Sequence, residues 1–134
     1  MTAPGTVLAV GTELPPVACG PITRTTLALF AGASGDHNPI HVDLDVARSA
    51  GLDDVFAHGM LSMAYLGRAV TEWVPQHRVR SLAARFVSLT PVHARPTCSG
   101  VVDTVEGDVA TIALTVTLDD GTLTLTGTAT VALS

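Results

Sequence analysis

From residue 34 to residue 43 the chain reads Ser-Gly-Asp-His-Asn-Pro-Ile-His-Val-Asp, its most concentrated run of polar and titratable side chains. Asp36 and His41 flank an Asn-Pro step, and the residue before a proline avoids the helical region, so a turn is expected there. Such a turn can aim both side chains into one cavity. A carboxylate beside an imidazole can position a water and exchange protons, because histidine titrates near neutral pH. Spacing alone does not impose that geometry, and solvent exposure, local capping or a mutual hydrogen bond fits the same pair. Asn38 has two open roles: satisfying backbone groups of the turn, with Pro39 setting the direction, or contacting a substrate. Asp43 is assigned a supporting place, either orienting a histidine or completing the loop's hydrogen bonds.

A second segment, Ala57-His58-Gly59-Met60-Leu61, precedes an apolar run. Gly59 permits close backbone approach. In the first turn of a helix its N–H would be one of the unpaired donors, able to bind a thioester carbonyl and stabilise enolate charge. His58 has two readings, substrate contact and local helix capping.

The elements that must position these groups follow from pattern. Thr23 or Thr25 caps a helix that packs Leu27, Phe30 and Ala31 inward, and Gly32 and Gly35 weaken its continuation. Leu44 to Ser49 forms a short helix before Gly51. A stronger helix runs from about Met60 to Trp73, with Met60, Met63, Ala64, Gly67, Val70 and Trp73 as its expected packing face and Pro75 as its stop. Strands are expected over 81–89, 97–105, 109–118 and from Leu123 to Leu133, with Asp119-Asp120-Gly121 as a turn. Residues up to Pro21 form a leading arm with short extended segments. The outcome is an α+β fold, one domain over residues 1–134, with a helix packed across an antiparallel sheet.

Composition narrows the function. The chain is 47% apolar and 14% charged, which suits a substantial core and leaves apolar surface for a dimer interface or for a core of small side chains. Seven basic and twelve acidic side chains give a net charge of −5 without a basic cluster, which argues against a nucleic-acid partner. Cys19 and Cys98 form no CxxC motif and read as reduced thiols. Neither an export-signal pattern nor a membrane-span pattern stands out, so the expected location is the cytoplasm.

Together the two segments resemble the MaoC-like hydratase/dehydratase family, which includes (R)-specific enoyl-CoA hydratases and acyl-carrier-protein dehydratases. Ser34 to Asp43 is similar to the family's hydratase motif, with Asp36 and His41 on its catalytic pair. Ala57 to Leu61 is similar to the segment leading into its central helix. The resemblance implies a single hot-dog unit, a long helix wrapped by an antiparallel sheet. It also implies a homodimer, or a heterodimer with a related hot-dog subunit, with an acyl tunnel near the subunit boundary. The small motif-bearing subunit of actinobacterial 3-hydroxyacyl-carrier-protein dehydratases is the nearest likeness.

The activity so implied is reversible hydration of trans-2-enoyl thioesters and dehydration of (R)-3-hydroxyacyl thioesters, carried on coenzyme A or acyl carrier protein in fatty-acid or polyketide metabolism. His41 is expected as the base toward water and Asp36 as the group that fixes water and helps return a proton to C2. Gly59 is the expected oxyanion-hole donor. No cofactor and no metal are expected, since the Asp and His residues lack a coordination set and no nicotinamide-binding signature is present. His58, Tyr65, Arg78, Arg80 and Arg85 are the candidate substrate-binding residues, the arginines toward the coenzyme's phosphates or an acidic carrier surface. Surface and sheet-edge roles compete for the arginines, and packing roles compete for Tyr65, Phe86 and Trp73 as cavity walls. Two other readings keep the fold: a hot-dog thioesterase, which releases free thiol, and a catalytically silent acyl-binding or assembly subunit, in which Asp36 and His41 fail to converge on a water.

Overall fold

Thr23 opens the first helix of the computed structural model, which describes residues 7–134. The Thr26 N–H donates to the Thr23 hydroxyl (3.1 Å) and the Thr23 N–H donates to the Thr26 hydroxyl (3.2 Å), a reciprocal cap over α1, Arg24–Ser34. Leu27 and Ala31 are buried on its inner face, with Phe30 packed beside them. α2 spans Leu44–Ser49 and α3 spans Gly59–Trp73. Pro75 cannot supply the N–H that a longer α3 needs, and the chain leaves the helix at Val74.

Five strands follow the expected pattern: β1 Val17–Ala18, β2 Val79–Phe86, β3 Thr97–Glu106, β4 Val109–Thr117 and β5 Leu123–Ala132. They form one antiparallel sheet in the order β1-β3-β4-β5-β2. Ala110, Ile112, Leu114 and Val116 alternate inward along β4, the period-2 burial of a half-covered sheet. β2 ends earlier than its apolar run because the Val87 and Ser88 N–H groups both turn to the Thr124 carbonyl. The expected leading arm begins in residues 1–6, which lie outside the described residues. Its later part runs beside β3, with Gly11 N–H donating to Val102 O (2.8 Å) and Leu14 N–H to Gly100 O (2.9 Å).

The sheet wraps α3, which touches β2, β3, β4 and β5. Its buried face keeps the expected Val70 and Trp73, with Met63 half-buried against the core, and departs from the expected one in the rest. Leu61, Ser62, Leu66, Ala69, Val70 and Trp73 are buried, whereas Met60 and Ala64 are exposed. α3 carries apolar or small residues on adjoining stripes, so helical periodicity does not select between them; the concave sheet takes the stripe with the leucines. The stripe of Gly59, Met63 and Gly67 is turned toward β2, where Gly59 lies by Phe86 and Gly67 by Leu82.

Two apolar clusters result. The larger joins α3 to the inner sheet face, and the smaller packs Ile22, Leu27, Ala47, Val55, Ala57, Leu61 and Val92 beneath α1 and α2; Tyr65 packs against both. Cys19 and Cys98 are free and buried. Burial, with Cys19 beside it, pushes the Cys98 thiol up to about 12. Native protein at about pH 8 is therefore expected to leave Cys98 unlabelled by iodoacetamide until it is unfolded. Rapid labelling of Cys98 in the folded state would contradict its placement.

Candidate active site

Gly35 ends α1 in the left-handed region (φ 77°), its N–H donating to Ala31 O (3.1 Å), and so turns the chain into the polar loop. The loop then holds itself by side-chain to main-chain bonds. Asp36 N–H donates to Ser34 Oγ (3.1 Å), Asn38 N–H to Asp36 Oδ1 (3.2 Å) and Ile40 N–H to Asn38 Oδ1 (3.2 Å). Pro39 opens a single 3-10 turn, Pro39–His41, that rotates His41 inward, where it is 7% exposed. Of the two roles open to Asn38, this bond performs the structural one. Asp43 likewise serves the loop: Oδ1 accepts from Asp45 N–H (3.0 Å) and caps α2, and it does not orient a histidine.

His41 is oriented from elsewhere. Its Nδ1 lies 2.7 Å from the Phe56 carbonyl oxygen, which can only accept, so Nδ1 carries the proton and Nε2 the free lone pair. Nε2 faces Asp36 Oδ2 at 3.9 Å, and the Asp36 side chain remains 51% exposed. His58 stacks on His41, with ring centroids 3.9 Å apart and 25° between planes, and its Nε2 lies 3.1 Å from the Asp36 main-chain oxygen. Phe30 meets His58 edge-on and Phe56 meets His41 edge-on. Burial, with a smaller contribution from His41, holds the His58 pKa below the ordinary histidine range against the upward pull of Asp36. One open carboxylate oxygen and one imidazole lone pair thus converge above a buried aromatic floor, an arrangement fit to hold and deprotonate a water.

The MaoC like domain model matches residues 7–119. The chain belongs to the MaoC-like family. It is 32% identical over 109 residues to 3-hydroxyacyl-thioester dehydratase Z of Mycobacterium tuberculosis, taking in 73% of this chain and 72% of that one. Among solved structures it resembles the R-hydratase PhaJ1 of Pseudomonas aeruginosa (26% identity, TM-score 0.84, 93% of this chain and 81% of that one). It shares its fold with a chain of the ChsH1-ChsH2 complex of Mycobacterium tuberculosis (24% identity, TM-score 0.84, 94% and 98%). Matches to longer relatives are local: the chain covers 3% of the fatty acid synthase subunit beta of Aspergillus oryzae. The wrapped helix is the hot-dog architecture that the resemblance implied.

In this MaoC-like chain the other expected site residues scatter. His58 is 1% exposed and sits under the pair, so it meets Asp36 and His41 instead of open space for a substrate; nor does its side chain cap α3. Gly59 is the first residue of α3, and a methyl group there would lie 3.0 Å from the Phe86 ring. Tyr65 lies between the two apolar clusters beside Arg68, a packing place. Trp73 is core. Arg78 follows the far end of α3, lining a cavity of about 270 Å³ with Trp73, Pro75 and Leu133, and Arg80 donates to His77 O. The 15 residues of α3 separate these two from the pair by roughly 22 Å of helix. Arg85 alone is on the site's side, adjacent to Phe86 at the end of β2. Phe56, which pattern reading missed, holds His41 in two ways: its carbonyl, a group every residue owns, accepts from Nδ1, and its ring packs edge-on against the imidazole.

Proposed function

We propose that this chain hydrates trans-2-enoyl thioesters and, in reverse, dehydrates (R)-3-hydroxyacyl thioesters borne by coenzyme A or an acyl carrier protein. The observation that carries the reading is the convergence of His41 Nε2 and Asp36 Oδ2, two acceptors 3.9 Å apart that one water can bridge with its two protons. Bound so, the water turns its oxygen lone pairs toward C3. His41 takes a proton as the oxygen bonds C3, the alkene electrons move toward the thioester carbonyl, and C2 takes a proton back from the pair through Asp36. The Gly59 N–H, left unpaired at the start of α3, is the donor for the carbonyl oxygen. The names of the relatives, a 3-hydroxyacyl-thioester dehydratase and an R-hydratase, support the substrate class and the (R) stereochemistry.

No metal takes part in this scheme, although ligand atoms of Asp36, His41 and His58 lie within 4.8 Å of one another. The acyl carrier brings the only auxiliary group. The described residues 7–134 act as one hot-dog unit that pairs with a second copy or with a related subunit. β2 is an edge strand, and Met60, Phe86, Val87 and Leu89 are exposed around its end, apolar surface that a partner's edge would cover. The ChsH1-ChsH2 complex supports the mixed pairing as the alternative. No described helix is long and apolar enough to cross a membrane. A cytoplasmic setting suits the two free thiols.

The test is a mass-resolved assay of the purified chain with crotonyl-coenzyme A, run with and without chelator. A gain of one water on the intact thioester in both is the expected result. Free thiol without hydration would mean a thioesterase. Neither product, with the chain also inert when joined to a related subunit, would mean an acyl-binding or assembly role.

A further inference from the structure

We propose that His58 is a positioning residue for the Asp36–His41 pair: it ties the Asp36 backbone to the head of α3 and supports the His41 ring, without touching substrate. This rests on the hydratase reading above. His58 occupies the N-cap of α3, a place where Ser, Thr, Asp or Asn would stabilise the helix, yet its side chain makes no cap bond. Its donor goes to the loop instead. The Asp36 main-chain oxygen can only accept, so the His58 Nε2 at 3.1 Å carries the proton and Nδ1 carries a lone pair, which is buried without a partner.

A buried acceptor without a partner costs stability. Here it completes a pattern. The loop's own bonds, among Ser34, Asp36, Asn38 and Ile40, fix its local shape but do not anchor it to another element. The two anchors described above both come from the segment 56–58: the Phe56 carbonyl holds His41, and His58 Nε2 holds Asp36. One short stretch thereby sets the distance between two groups that are remote from it in sequence. Phe30 from α1 also packs edge-on with the His58 ring, centroids 4.9 Å apart, which restricts its rotation. A neutral ring 3.9 Å beneath His41 also presents a π face to the imidazolium formed when His41 takes its proton.

His58→Leu and His58→Gln separate this role from simple packing, since glutamine keeps a donor near the Nε2 position. Misplacement of the pair predicts that His58→Leu lowers kcat for crotonyl-coenzyme A hydration about 100-fold, while KM stays within about twofold. His58→Gln is expected to regain at least about tenfold of that loss. A KM that rises in step with the loss would make His58 a substrate contact, and unchanged kcat, or Gln no better than Leu at equal thermal stability, would overturn the proposal. Nitrogen-15 NMR of the wild-type histidines supplies a readout independent of activity. His58 is expected as the neutral Nε2–H tautomer at about pH 7.5 and to take up its second proton only below the ordinary histidine range, and an Nδ1–H tautomer, or titration at or above that range, overturns the placement. A wild-type chain that fails to hydrate any enoyl thioester would remove the functional reading and leave the NMR result to judge the tether by itself.

Discussion

Asp36→Asn and His41→Ala are each expected to lower kcat/KM for enoyl-thioester hydration by about 10³-fold, within the range that positioned acid-base groups contribute. Asp36→Asn is the cleaner of the two. Asn retains a carbonyl oxygen to accept from the Asn38 N–H, and the side chain is 51% exposed, so the loop and the fold are kept. What changes is the atom facing His41: an amide NH₂ donates where the carboxylate accepted, and the bridging water loses one of its two acceptors. His41→Ala removes the base and also leaves the Phe56 carbonyl without its donor, an added stability cost of about 1–3 kcal/mol. Steady-state rates read beside thermal melts separate the two effects. An Asp36→Asn protein with wild-type kcat/KM would rule the pair out as the site of proton transfer.

Trp73→Ala carries the largest expected stability loss, about 3–5 kcal/mol, seen as a Tm lower by roughly 10 °C or more. Trp73 is 2% exposed, its ring lies over Gly100 so closely that a methyl there would approach it to 2.8 Å, and its Nε1–H donates to Pro15 O at 2.7 Å. Alanine empties that space and strands the carbonyl of the arm that runs beside β3. Because Trp73 and the pair lie at opposite ends of α3, kcat measured well below the melt is expected to stay near wild type. Loss of kcat equal to that of His41→Ala, in protein that remains folded, would contradict this separation of core from site.

The local features were legible because their causes are local. Thr23 reads as a cap because its hydroxyl can reach an N–H one turn along, and Asn38-Pro39 reads as a turn because proline restricts the residue before it. The strand spans of β3 to β5 followed from alternation, which survives wherever one face is buried. Asp36 and His41 stood out because two titratable groups flank a turn within one short segment.

Distance in sequence hid the remainder. The buried stripe of α3 was settled by a concave sheet whose curvature no single strand encodes, and α3 therefore turns Leu61, Leu66 and Ala69 inward instead of Met60 and Ala64. Arg78 and Arg80 sit near Arg85 along the chain, yet extended β2 carries Arg85 toward the site and leaves the other two at the opposite end. Residue types and short spacings are enough to specify caps, turns, strand periods and the chemistry a carboxylate and an imidazole can perform. Which groups meet is a matter of packing between remote segments: the Phe56 carbonyl reaches His41 and His58 reaches Asp36 because the smaller apolar cluster holds α1 and α2, which flank the loop, against the head of α3. Hydrogen bonds through main-chain oxygens leave no mark on residue identity, so they become visible in the folded chain alone.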